Sequence, residues 1–166
     1  EPILEPWTTL AALAEATATI KLLTLVSNMH YRGPALLAKM ASTLDAVSKG
    51  RLILGLGAGG NLGEEDKYGY ETLTFENRKQ RLNESVEIIK ALWRNEIVTY
   101  EGKFWNIKGA THEPKPPHQP SILIAGSSAG MLQIAARQAD LCDLNMISPD
   151  AVSSRIKILE QHLLES

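Results

Sequence analysis

Residues 32–60 read RGPALLAKMASTLDAVSKGRLILGLGAGG, a helix followed at once by a buried strand that ends in glycines. Gly33 and Pro34 open the helix, with proline at the first helical position, where its missing donor does no harm. Leu37, Met40, Leu44 and Val47 recur at three- and four-residue spacing and predict one core-facing stripe. Gly50 suits the position just past the helix end, and Arg51 leads into the next strand. Leu52, Ile53, Leu54 and Leu56 form a near-continuous apolar run, the pattern of a parallel strand covered on both faces. Upstream, residues 20–26 (IKLLTLV) are a second such run. Two parallel strands joined by a helix make a βαβ unit, whose strand carboxyl ends are where such folds bind ligands.

The same alternation continues outward. A helix is predicted over residues 7–18, a long polar loop over 61–74, and a helix over 76–94 with Leu82, Val86, Ile89 and Trp93 on one face and Thr74 as its cap. Residues 98–107 (VTYEGKFWNI) read as a hairpin turning at Glu101-Gly102, and the prolines of 114–120 as an extended connector. Residues 121–125 (SILIA) are a third buried strand, leading through GSSAG into a helix over 131–139. Residues 141–147 are a fourth strand, and 150–164 a final amphipathic helix. The class is α/β with a parallel sheet. Four parallel strands are too few for a closed eight-stranded barrel, which takes about 250 residues.

Composition narrows the function. The chain has 166 residues, 44% of them hydrophobic and 22% charged, with net charge −2, as in an ordinary globular protein. With no basic run, nucleic acid is not the expected partner. No apolar stretch approaches the ~20 residues that span a bilayer, so no membrane role is expected, and the cytoplasm is the expected location. The single cysteine, Cys142, excludes an internal disulfide and reads as a packed strand residue.

Three clusters are candidates for chemistry. Gly55, Gly57 and Gly60 match G-x-G-x-x-G after a strand. A dinucleotide-binding turn, glycines that let loop and sheet approach closely, and backbone lying against a flat ligand all remain open. The first needs a helix opening directly on the last glycine, whereas the pattern predicts the next helix only near Glu76. At Gly126, Ser127 and Ser128, backbone donors, two hydroxyls and a helix start converge, which is anion-binding geometry or else an ordinary serine cap. Ser27, Asn28, Met29, His30, Tyr31 and Arg32 follow the first strand, on the ligand side of such a sheet. Arg32 before a helix start either faces a compensating anion or carboxylate or is a solvated arginine, and His30 is either an acid–base group or a surface residue. Glu64, Glu65 and Asp66 read as a solvated loop face. No metal-ligand spacing and no Ser/His/Asp order is present, so the catalytic residues are left unassigned and no metal is expected.

Taken in order, LLTLVSNMHYRGPALLAKMASTLDAVSKGRLILGLGAGG, KYGYE, VTYEGKFWNI, PKPPHQP and SILIAGSSAG resemble the bacterial luciferase-like monooxygenase superfamily, particularly its coenzyme F420-dependent oxidoreductases. The resemblance implies a TIM (β/α)8 barrel that binds FMN or the deazaflavin F420 at its strand carboxyl ends. Here it implies a partial barrel, with about four parallel strands plus a hairpin. It implies a non-prolyl cis peptide at Leu25-Val26, a bulge supporting the central cofactor ring, with Ser27 and Asn28 beside it. Gly57, Ala58 and Gly59 would flank the cofactor, and Gly126, Ser127 and Ser128 would hold its phosphate. Residues 1–166 are thus expected to form one domain, the central segment of a barrel whose first two and last two strands lie outside it. The implied function is an F420- or FMN-dependent oxidoreductase or monooxygenase acting on a small organic substrate. The competing reading is a non-catalytic fragment that binds flavin or only self-associates. Unpaired edge strands at 20–26 and 141–147 lead to the expectation of a homo-oligomer.

Overall fold

The computed structural model describes residues 3–60, 62–144 and 147–164. Helix α1 (Pro6–Ala16) starts at Glu5, whose carboxylate accepts hydrogen bonds from the Trp7 and Thr8 amides, and buries Trp7, Leu10 and Ala14. Next come the short strands β1 (Leu22–Leu23) and β2 (Ser27–Asn28), then α2 (Pro34–Ser48), which ends with Lys49 at φ 58° and Gly50 at φ 80°. Its buried face is Leu37, Ala38, Ala41 and Leu44, while Val47, predicted on that stripe, is exposed. Strand β3 (Leu52–Gly57) follows, then α3 (Leu62–Lys67) and α4 (Phe75–Arg94). The hairpin comprises β4 (Val98–Glu101) and β5 (Asn106–Ala110). The chain continues through β6 (Ser121–Ala125), α5 (Ala129–Gln138), β7 (Leu141–Asp143) and α6 (Pro149–Leu164).

The sheet runs β1–β3–β6–β7 with all pairs parallel, and β2 also pairs with β3. Leu52, Leu54 and Leu56 of β3, with Ile122 and Ile124 of β6, are buried and join one core with Leu37, Leu82, Val86, Ile89 and Trp93 from the helices. The alternate residues Ile53, Leu123 and Ala125 are only partly buried. One face of the sheet is therefore sealed by helices and the other is only partly covered, at Gly55 and Gly57 by the bulged chain, where the sequence pattern had suggested full cover on both.

Two predicted elements differ. The strand expected over residues 20–26 is split. Leu23 pairs with Ile53 and Ser27 with Leu56, so four steps of chain face three in β3, and the surplus residue makes a bulge over Thr24, Leu25 and Val26. The Leu25-Val26 peptide within it is cis, where the resemblance places one. Apolar patterning marks a run as buried and is blind to such an interruption. The loop expected over 61–74 contains α3, too short to show a helical period. The strand predicted over 141–147 is described as far as Asp143, and Asn145 and Met146 lie outside the described residues.

The hairpin is tied to α4 by Glu84, whose carboxylate accepts from the Lys103 and Phe104 amides at 3.1 and 2.9 Å. Trp105 donates from Nε1 to Ser85 Oγ at 2.9 Å and stacks under the Arg81 guanidinium, 4.6 Å from the ring centroid. Beyond the hairpin, buried His112 meets Ser42 Oγ of α2 at 2.8 Å through Nε2. Burial, then the nearby Lys39 and Lys115 charges, push its pKa below the usual histidine value, with Glu113 opposing. A histidine whose folded pKa is depressed supplies stability that is complete above its unfolded value of about 6.5 and is lost as pH falls through the folded one. Denaturant midpoints across pH 5 to 8 are expected to decline on the acid side, and His112→Gln is expected to flatten that decline. An unchanged slope in the variant would assign the acid sensitivity to another group.

Candidate functional site

The bulge determines which residues can stand beside it. A Cβ on Gly55 would lie 2.0 Å from the Thr24 carbonyl oxygen, and one on Gly57 would lie 2.5 Å from Val26 Cγ2. These glycines let β3 pass against the bulged chain, which is the close-approach reading of the glycine run. Buried Thr24 and Ser27 join hydroxyls at 2.9 Å beneath the bulge, and Trp7 Nε1 donates to Ser27 Oγ at 3.0 Å. Gly59, at φ +78°, sits where a Cβ would meet Asn28 Oδ1 and Glu65 Oε1, each at 2.7 Å. A helix does open after Gly60, contrary to the sequence-based expectation, but it has six residues and runs into no βαβ crossover of its own. The crossover helix is α4.

At the carboxyl ends of the strands, Val26, Asn28, Gly57, Ala58, Gly59, Ala125, Gly126 and Ser127 line one open groove of ≈ 270 Å³. Seven of the ten residues expected at a cofactor site thus meet there. The other three do not line it. Leu25 is 62% exposed and lies with Leu4, Pro6 and Thr9 in a separate cleft. The Ser27 hydroxyl is committed to Trp7 and Thr24. Ser128 caps α5, accepting from the Met131 amide at 3.3 Å. Gly126, at φ +148°, is backed by Met131, whose Cβ and Cγ would stand 2.9 Å from an added Cβ. The first turn of α5 begins three residues on, bringing amide donors without intrahelical acceptors to the groove's end.

Sequence reasoning passed over two cations. Arg78 and Lys79, in the first turns of α4, reach the two glycine loops from the side. Arg78 Nη1 lies 3.6 Å from where a Gly60 Cβ would stand, and Lys79 Nζ 2.5 Å from the equivalent point of Gly130. Lys79 pairs with Glu76 at 2.9 Å. Arg78 Nε and Nη1 are buried without a hydrogen-bond partner. Two orphaned guanidinium donors beside the first glycine loop are a fit for an anionic group. The signal missed was positional, since charges at the start of a long amphipathic helix read as its solvated face.

Three other expectations are settled by contacts. Arg32 has its anion in Glu5, at 2.6 Å. His30 is buried, with Nδ1 2.7 Å from Arg81 Nη1 and Nε2 2.6 Å from the Glu71 carbonyl. Because arginine only donates, Nδ1 accepts and Nε2 carries the proton given to Glu71. Both ring nitrogens are engaged in these contacts, so the surface reading does not hold. Glu65, read as solvated, is 0% exposed and accepts from Asn28 Nδ2 at 2.9 Å.

Comparison with known proteins bears on the whole arrangement. The 5,10-methylenetetrahydromethanopterin reductase of Archaeoglobus fulgidus is 37% identical over 142 residues, which is 84% of this chain and 41% of that protein. The F420-dependent glucose-6-phosphate dehydrogenase of Microbacterium testaceum is 35% identical over 136 residues, 81% of this chain and 40% of that one. Among solved structures, an F420-dependent secondary alcohol dehydrogenase in complex with an F420–acetone adduct superposes with a TM-score of 0.91 at 22% identity, over 98% of this chain and 50% of that one. The monooxygenase RslO1 from Streptomyces bottropensis superposes with a TM-score of 0.85 at 26% identity, over 97% and 50%. The chain thus spans about two fifths of the length of the curated relatives it matches, and its fold is part of a luciferase-like TIM barrel. A bulged strand, a glycine-lined groove at the strand carboxyl ends and a match of the luciferase-like monooxygenase family model to residues 1–165 agree, and the chain belongs to that family.

Proposed function

We propose that this chain forms the cofactor-binding part of an oxidoreductase that uses F420 or FMN on a small organic substrate. The observation that carries the reading is the groove at the strand carboxyl ends, where the bulge, two glycine loops and the start of α5 meet. The residues present fit such a cofactor. Gly57, Ala58 and Gly59 leave a low backbone surface on which a flat ring system would lie, with the Val26 side chain at its edge. The Gly126 and Ser127 loop and the α5 amides would hold a phosphate, and the unpaired Arg78 donors, beside Gly60 on the other glycine loop, would supply its countercharge. When bound, the cofactor supplies the hydride or oxygen chemistry, and the protein contributes orientation and exclusion of water. Ala58, Ala125 and Val26 are the apolar walls available for that exclusion.

Titration of the protein with FMN and with F420, followed by cofactor fluorescence, tests this reading. Saturable binding of one of them is expected. Gly126→Ala is expected to weaken it about tenfold or more, because φ +148° strains any side chain and Met131 blocks the space. Absence of binding by either cofactor would favour a non-catalytic, self-associating role, for which exposed Ile20 and Leu141 near the outer strands provide apolar surface.

A further inference from the structure

Glu65 is a carboxylate with no exposure to solvent, and its Oε2 has no hydrogen-bond partner. Its Oε1 accepts from Asn28 Nδ2 at 2.9 Å, and Asn28 Oδ1 accepts from the His30 amide at 2.8 Å. The two bonds together determine which way the Asn28 amide is turned. The Glu65–Asn28 pair also rests on the α-carbon of Gly59, since a Cβ there would stand 2.7 Å from an oxygen of each partner. Asn28 and Gly59 both line the groove, and Glu65 does not. A leucine would occupy a similar volume without the cost of desolvating a carboxylate, so the acidic group sits where it works against stability. Residues that break a local rule in this way tend to serve a site.

We infer that Glu65 is a positioning residue for the cofactor groove. It holds the Asn28 amide in one orientation and, with it, supports the Gly59 turn from behind. The inference rests on the flavin or deazaflavin reading of that groove. What matters in it is the acceptor oxygen facing Asn28, not the negative charge. Glutamine keeps that acceptor, and leucine removes it. Asn28→Asp sets two carboxylates against each other, and Asn28→Asp with Glu65→Gln restores a hydrogen bond of opposite polarity while leaving the His30 acceptor in place.

The test is the dissociation constant of FMN and of F420 for the 166-residue chain and these four variants, with thermal midpoints measured alongside. Glu65→Gln is expected to bind within about twofold of the native chain, and Glu65→Leu and Asn28→Asp about tenfold or more weaker. The double variant is expected to recover to within about threefold, a coupling that independent effects would not give. Unchanged affinity in Glu65→Leu, or a double variant no better than Asn28→Asp, overturns the inference. So does an affinity that merely follows the thermal midpoints. If Glu65→Leu does not fold, Asn28→Asp and its double variant decide the matter, because both keep polar groups at the pair. A native chain that binds neither cofactor overturns the groove reading and this inference with it, whereas native binding that is indifferent to Glu65 overturns only the latter.

Discussion

Adding a single methyl group at Gly55 is expected to cost about 3 kcal/mol or more of stability, seen as a fall in Tm of roughly 6–12 °C for a chain of this size. The cause is local and steric. The new carbon would lie 2.0 Å from the Thr24 carbonyl oxygen and 2.9 Å from Leu23 Cδ1. A side chain can turn aside, but a carbonyl held in a bulge between two short paired segments cannot. Relief would require β1 and β2 to separate from β3, breaking the pairings Leu22↔Leu52 through Asn28↔Gly57. The control is Gly63→Ala in α3, where an added Cβ meets nothing within 4 Å. That change is expected to be neutral or to stabilise by about 0.5–1 kcal/mol. Equal midpoints for the two variants would show that the bulge does not bear on Gly55.

Arg78→Met should separate stability from binding. Methionine keeps an apolar side chain of similar length, gives up the guanidinium that lies 5.7 Å from the Phe75 ring centroid, and removes two buried donors that have no partner. Stability is expected to hold or to rise slightly, since an unsatisfied buried charge is lost. Affinity for FMN or F420 is expected to fall about 30- to 100-fold, the worth of a charge-assisted contact to phosphate. Riboflavin, which lacks the phosphate, supplies the internal comparison, and its binding should not change. Equal losses for riboflavin and FMN would place Arg78 elsewhere than at the phosphate. Raising the salt concentration should narrow the gap between native and variant.

Much of the architecture could be read before any coordinates. The 3.6-residue period of Leu82, Val86, Ile89 and Trp93 identified α4, and Thr74 does cap it, accepting from the Asn77 amide. The apolar runs located β3 and β6 to the residue, because every position of these strands that faces the helices carries Leu or Ile. What escaped has a shared physical origin. The bulge depends on a count of residues between two strands, and no single side chain advertises it. Glu65 and His30 look like surface residues in a string of polar neighbours, and only the chain's return over β2 buries them. Arg78 is one charge among many on an amphipathic helix, and its significance comes from Gly60, which lies eighteen positions earlier in sequence and beside it in space.

The opposite end of the sheet carries a different assembly. Buried Arg51, just ahead of β3, donates from Nε to the Ser48 carbonyl and from its two terminal nitrogens to the Ala14, Thr17 and Ile20 carbonyls and the Thr17 hydroxyl, at 2.6 to 3.1 Å. One guanidinium closes the carboxyl end of α1 and joins it to α2 and β3, far along the strand from the glycine loops. The loops of the groove can therefore vary in sequence while the fastening of the scaffold goes untouched. A directed-evolution library confined to the groove's rim would draw on a reserve of stability held at Arg51, and variants that weaken that residue first should use up this tolerance before any change is made at the groove.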